Sequence, residues 1–140
     1  MSLPFLQLLD NATAAGAALL SPAFKAPHAR FVHSNEQPDG GFCGRRGTSE
    51  IYYTDFALRA LMLLEAAPDL APSARWLPTA RFDLDSPADR FNALNIRRML
   101  LHRGIDACLQ TEPIIDAIAL HLRKACPPVS PVKLFLDALS

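Results

Sequence analysis

Two adjacent arginines, Arg45 and Arg46, stand in a stretch punctuated by Gly40, Gly41, Gly44 and Gly47. Gly40-Gly41 after Pro38-Asp39 is the composition of a tight turn with positive φ, while Gly44 and Gly47 let the backbone pass close to a ligand or a neighbouring helix. A constrained loop of this kind holds a guanidinium fork in the geometry that suits a phosphate or a carboxylate. The next helix begins near Glu50, and the free amides at its start favour anions too. Anion binding is the chemistry this combination could carry out. The competing role is structural: one arginine caps a helix C-terminus, or pairs with Asp39 or Glu50 and braces the loop.

Other reactive side chains offer less. His28, His33 and Cys43 lack the helical i, i+4 pairing with a carboxylate that would build a zinc site, so no cofactor is expected and zinc is disfavoured. Asp83 and Asp85 sit just before a helix start, where acidic residues serve as caps. His102 and His121 lie within helices beside Arg103 and Arg123, with nothing acidic placed to orient them as bases. No Ser-His-Asp or Cys-His arrangement stands at a recognisable spacing. Trp76, between prolines, reads as a core or lid anchor, with a partner hot spot as the second choice. Arg97, Arg98 and Arg103 read as a solvated helix face that could also serve docking.

The elements that must position these residues are helices. Ser21-Pro22, Ser86-Pro87 and Ser130-Pro131 repeat a helix-start signature, in which proline opens the first turn and serine caps it. Thr111-Glu112-Pro113 and Ala71-Pro72 are looser versions, and the prolines are read as boundaries rather than breaks. From Glu50, one face is expected to carry Tyr53, Phe56, Ala57, Ala60, Leu61 and Leu64, with Leu58, Met62 and Leu63 on the flanks; such a helix should be largely buried. After Ser86, with Asp89 approximating a capping box, Phe91, Leu94, Leu101 and Ile105 recur at roughly helical spacing, and Gly104 can stop the helix. Ile114, Ile115, Ile118, Ala119 and Leu122 form a further stripe, and Val132, Leu134, Phe135 and Leu139 a short terminal helix. No segment alternates with a period of two. The expectation is an all-α chain of six or seven helices with one long polar loop, Asn35 to Ser49, of a length that tends to be functional.

Composition limits the partners. A chain of 140 residues, half of them apolar, is one ordinary domain. Fourteen basic residues balance fourteen acidic ones, so no broad basic face addresses nucleic acid. The apolar run from Leu3 to Leu20 lacks a basic start, is interrupted by Asp10 and is too short to span a bilayer, so it reads as an amphipathic helix and no transmembrane segment is expected. Cys43, Cys108 and Cys126 make no disulfide framework, which fits a reducing cytoplasm.

Residues 37–64 also resemble a known repeat. Gly40, Gly41, Phe42, Gly44, Arg45, Glu50, Tyr52, Tyr53, Ala57, Leu58, Ala60 and Leu61 follow the order found in protein prenyltransferase β-subunits and in squalene or terpene cyclases. Gln37-Pro38-Asp39 resembles the Gln-to-aromatic motif of the cyclases, with Phe42 in the place usually held by Trp. The resemblance implies αα-hairpin repeats forming part of an (α/α) toroid, here an incomplete ring. It implies one all-α domain over 1–140, with the repeat at 35–67 and a degenerate helical extension at 71–140. Arg45 matches an arginine that contacts an isoprenoid diphosphate, and Tyr53 a tyrosine facing the same group. The zinc set is not intact: Tyr52 stands where the ligand cysteine belongs, and a phenol does not replace a thiolate in a tetrahedral site. Glu50 aligns with the metal-binding Asp only across a one-residue gap, and Gly47 and Thr48 occupy the region of the family lysine. The cyclase acid motif is incomplete at Asp83-Leu84-Asp85-Ser86.

Two functions follow as expectations. The first is a non-catalytic helical-repeat subunit for binding or assembly, which engages a protein partner or further copies of itself because an incomplete ring leaves an apolar edge. The loss of the zinc ligands and of the full acid motif argues against enzymatic activity. The alternative is an isoprenoid-diphosphate-binding protein, or a subunit of a prenyltransferase- or cyclase-like enzyme. In it Arg45 and Arg46 hold the diphosphate, Tyr53 donates a hydrogen bond, and Phe42, Tyr52 and Phe56 line an apolar pocket for the isoprenoid or other lipid tail.

Overall fold

A computed structural model describes residues 5–64 and 68–125. These residues form six α-helices: α1 (Phe5–Ala18), α2 (Pro22–His33), α3 (Ile51–Leu64), α4 (Ala71–Trp76), α5 (Pro87–His102) and α6 (Glu112–Ala125), with a 3-10 turn at Leu77–Thr79 between α4 and α5. The all-α expectation holds for them. The terminal helix expected around Val132 to Leu139 and the Ser130-Pro131 start lie outside the described residues, as does Cys126.

The start signals act as their chemistry requires. Ser21 Oγ accepts the Phe24 N–H and Ser86 Oγ the Asp89 N–H, both at 3.2 Å, with proline at the opening of each helix. Each such cap contributes about 1 kcal/mol. Past the end of α5, the Ile105 N–H returns to the Leu100 carbonyl at 3.0 Å and closes the last turn. Pro27 corrects the reading of the prolines as boundaries, because α2 continues through it. Lacking an N–H, Pro27 leaves the Ala23 carbonyl without its helical donor, a loss that neighbouring turns carry.

α3 lies at the centre and packs against α1, α2 and α5, while α6 packs on α5. The arrangement of packed helix pairs is consistent with a helical repeat. Two buried faces differ from the periodicity reading. On α3 the inward residues are Ile51, Thr54, Asp55, Ala57, Leu58 and Leu61, while Tyr53 and Phe56 point outward. On α5 they are Arg90, Asn92, Ala93, Asn95, Ile96, Met99 and Leu100, while Phe91 and Leu101 are exposed. Both faces are turned because polar side chains with partners are buried in place of apolar ones: Thr54 and Asp55 on α3, Asn95 on α5. On α6, Ile114 is buried and Ile118 packs against the core, whereas Ile115, Leu120 and Leu122 remain exposed. Trp76 is a core residue.

Candidate functional site

The long loop is tied at its base and open at its tip. The Gly40 N–H donates to the Gln37 carbonyl at 2.9 Å, closing a turn over Pro38-Asp39, and a single antiparallel bridge joins Glu36 to Phe42. Asp39 Oδ1 accepts both the Gly41 N–H at 2.9 Å and the Ser49 hydroxyl at 2.5 Å, so it clamps the two ends of the loop. Gly40 holds φ +94°, and a Cβ there would come within 2.3 Å of the Pro72 carbonyl oxygen on α4. Its own carbonyl accepts the buried Ser73 hydroxyl at 2.7 Å. The loop is therefore docked onto α4 by a contact only glycine permits. On the other side, Phe42 donates its N–H to Thr54 Oγ1 at 2.9 Å, which ties the loop to the first turn of α3.

Arg45 and Arg46 lie exposed at the tip, and among the described residues neither has an ion pair or a side-chain hydrogen bond. The expected arginine brace to Asp39 or Glu50 is not formed; Asp39 is engaged by Ser49 and Gly41 instead. Tyr53 is next to this tip: a Cβ on Gly44 would meet the tyrosine ring at 2.7 Å, so the backbone packs close against it.

Tyr53 begins a row of exposed aromatic side chains. Tyr52, Tyr53, Phe56 and Phe91 keep 47%, 41%, 49% and 45% of their surface in solvent. Tyr52 meets Tyr53 edge-on at 5.3 Å between centroids and stacks tilted on Phe56 at 4.8 Å. The Arg59 guanidinium then lies 5.3 Å from the Phe56 ring and 5.7 Å from that of Phe91 on α5, joining the two helices across the surface. Each such contact contributes about 0.5–1 kcal/mol at an exposed site. Phe42 stands apart from this group. At 2% exposure it belongs to the core.

Beneath the row runs a polar chain whose centre, Asp55 and Asn95, is buried. Asp55, with no exposed surface, accepts from Arg59 through Oδ2 and from Asn95 Nδ2 through Oδ1 at 2.6 Å. Asn95 Oδ1 in turn accepts from Arg98 Nε at 3.0 Å and Nη2 at 2.9 Å, and Arg98 pairs with Asp10 of α1 at 2.7 Å. Burial pushes the Asp55 carboxyl above its ordinary value of 3.8, opposed by the hydrogen bonds from Arg59 and Asn95 and by the charges of Arg59 and Arg98. The chain fixes α3 to α5 and α1. It also anchors Arg59 from below, so that its guanidinium is held between two rings.

No protein-family model matches this chain, and neither does any curated protein or solved structure. Function therefore rests on geometry. Among the described residues no three of His, Cys, Asp and Glu gather as metal ligands, and no helix is long and apolar enough to cross a membrane. Five surface clefts are lined by other residues than Arg45, Arg46, Tyr52, Tyr53 and Phe56. The structure thus brings Tyr52, Tyr53 and Phe56 together on one face, sets Arg45 and Arg46 at its end, and removes Phe42 to the interior. Asp55, Arg59, Phe91 and Asn95 were missed by sequence reasoning. Two signals were available: Asp55 and Arg59 at i, i+4, and two asparagines, Asn92 and Asn95, inside a helix that propensity alone would not place there.

Proposed function

We propose that the chain is a non-catalytic binding or assembly module that docks a partner protein segment, apolar along its length and acidic at one end, on the Tyr52–Phe56–Phe91 face. One observation carries this reading: a continuous exposed row of four aromatic rings bridged by Arg59, with Arg45 and Arg46 free of ion pairs at its end among the described residues. Tyr, Phe and Arg are the residues in which the centres of protein interfaces are enriched. Asp55 holds Arg59 in place before any partner arrives, which lowers the ordering cost of association. The acidic end of the partner would meet Arg45 and Arg46, whose forks have no internal claim on them.

A photo-crosslinking side chain at position 56 tests it in the cell, with position 115 on exposed α6 as control. The reading requires a discrete partner captured from 56 and not from 115, and a loss of at least about tenfold in that partner's affinity for Tyr52→Ala/Phe56→Ala, the size of a single hot spot. Equal capture from both positions would sink it. Light scattering separates a second copy of the chain from a different protein.

A reduced module of the prenyltransferase and cyclase repeat is the ancestry we propose for residues 37–64. A second reading follows from it, and the packing of Gly44 on Tyr53 beside two unpaired arginines favours it: an isoprenoid diphosphate held by Arg45, Arg46 and Tyr53. Farnesyl diphosphate titrated into the full chain decides. Binding that Arg45→Ala abolishes while melting is unchanged supports this second reading, and no heat of binding eliminates it.

A further inference from the structure

Arg90 occupies an unusual position for a permanent cation. It is 3% exposed in the first half of α5, and its Nε is buried with no hydrogen-bond partner, as are those of Arg59 and Arg97, which unlike it pair with carboxylates. The neighbouring carboxylate, Asp89, is engaged by the Asp83 N–H at 3.1 Å. Among the described residues the ion pairs join His33 to Glu36, Arg59 to Asp55, Arg97 to Asp106 and Arg98 to Asp10, and none includes Arg90. An arginine side chain buried to this extent with no carboxylate paired to it is costly, and proteins hold such a charge where an anion meets it. Arg90 lines a cleft of about 230 Å³ between α5 and α6, whose other walls include Phe91, Leu94, Ile118 and Leu122. The exposed His121 adds a second polar group to the same lining. The cleft is smaller than the roughly 300–1,000 Å³ of sites for drug-sized ligands, so its occupant is small.

We propose that the α5–α6 cleft binds a small organic carboxylate with an apolar body, its carboxylate on the Arg90 guanidinium and its hydrocarbon part against Leu94, Ile118 and Leu122. The charge sets the head group: the guanidinium fork takes a carboxylate through parallel hydrogen bonds. The walls set the rest, because an inorganic anion would leave an apolar surface uncovered. The site shares no residue except Phe91 with the docking face, and it does not depend on the function proposed for that face.

Octanoate is the probe, titrated into the full 140-residue chain by calorimetry and by NMR of the Leu and Ile methyl groups. The expected result is one octanoate per chain, with methyl shifts at Leu94, Ile118 and Leu122, and at least about tenfold weaker binding by Arg90→Met, the loss that one charge-assisted hydrogen bond produces. Octanol should bind at least as weakly to the wild type. Equal binding of octanoate to wild type and Arg90→Met overturns the proposal, as does octanol binding as tightly as octanoate. Displacement of octanoate by inorganic phosphate at equal concentration overturns the apolar half of the assignment. If Arg90→Met fails to fold, Ile118→Trp fills the cleft and leaves the arginine in place; retained octanoate binding in that variant refutes the site.

Discussion

Replacing Asn95 with alanine tests the buried chain that orders the candidate face. The substitution removes the 2.6 Å hydrogen bond to Asp55 Oδ1 and the acceptor that holds Arg98 Nε and Nη2. Asp55 is fully buried, so no water replaces the lost donor. Leaving a buried charged group short of one hydrogen bond costs about 2–3 kcal/mol, while Arg98, partly exposed and still paired with Asp10, adds little. For a chain of this size that corresponds to a fall in melting temperature of roughly 10 °C. The pH dependence makes the test specific. Burial raises the Asp55 carboxyl above 3.8, so between that value and the raised one the folded chain binds a proton that the unfolded chain does not. The penalty of the buried charge is thus present above the raised value and is relieved as pH falls toward 3.8. Asn95→Ala removes a hydrogen bond that favours the charged form and raises the carboxyl further. The stability gap between wild type and variant is therefore widest above the raised values and narrows as acid protonates Asp55 on the way down to 3.8. Urea unfolding followed by circular dichroism across that range measures it. In an Asp55→Asn background the cost of Asn95→Ala should fall and lose its pH dependence. A gap below about 0.5 kcal/mol, within the range of ordinary surface changes, would refute the argument, as would a gap that does not vary with pH.

Three further outcomes follow from the same structure. Phe42→Ala should cost about 3–5 kcal/mol in urea unfolding, as a core phenylalanine does, rather than a ligand affinity. Gly40→Ala should destabilise by at least about 1–3 kcal/mol, because the positive φ is strained for alanine and its Cβ meets the Pro72 carbonyl; a thermal melt within a degree of wild type would contradict that contact. Arg45→Ala/Arg46→Ala should leave stability within about 0.5 kcal/mol of wild type, since neither side chain braces the loop; a clear drop in melting temperature would restore the brace.

Helix existence was legible in the residues because its causes are local. Ser21, Ser86 and their following prolines act within one turn, and the i, i+3, i+4 recurrence of apolar side chains requires no knowledge of neighbours. The loop from Asn35 to Ser49 was legible for the same reason, its turn at Pro38-Asp39-Gly40 being a property of those three residues. Which face of each helix turns inward was not. Periodicity weighs Tyr53, Phe56 and Phe91 as core because they are apolar, and Thr54, Asp55 and Asn95 as surface because they are polar. A buried polar side chain is stable only when a partner reaches it, and the partners here lie far away in sequence: Phe42 for Thr54, Asn95 for Asp55, Gly40 for Ser73.

The sequence by itself therefore determined the helices, their caps, the glycine loop and the cationic tip at Arg45 and Arg46, all of which follow from short-range backbone chemistry. Tertiary structure decided the rest. By supplying Asn95 to Asp55 it made burial of that carboxylate tolerable, turned α3 so that its aromatic residues face solvent, and held Arg59 between Phe56 and Phe91. It also enclosed Arg90 beside an apolar cleft, a position that carries no mark in the chain because charge and burial come together only when α5 and α6 pack.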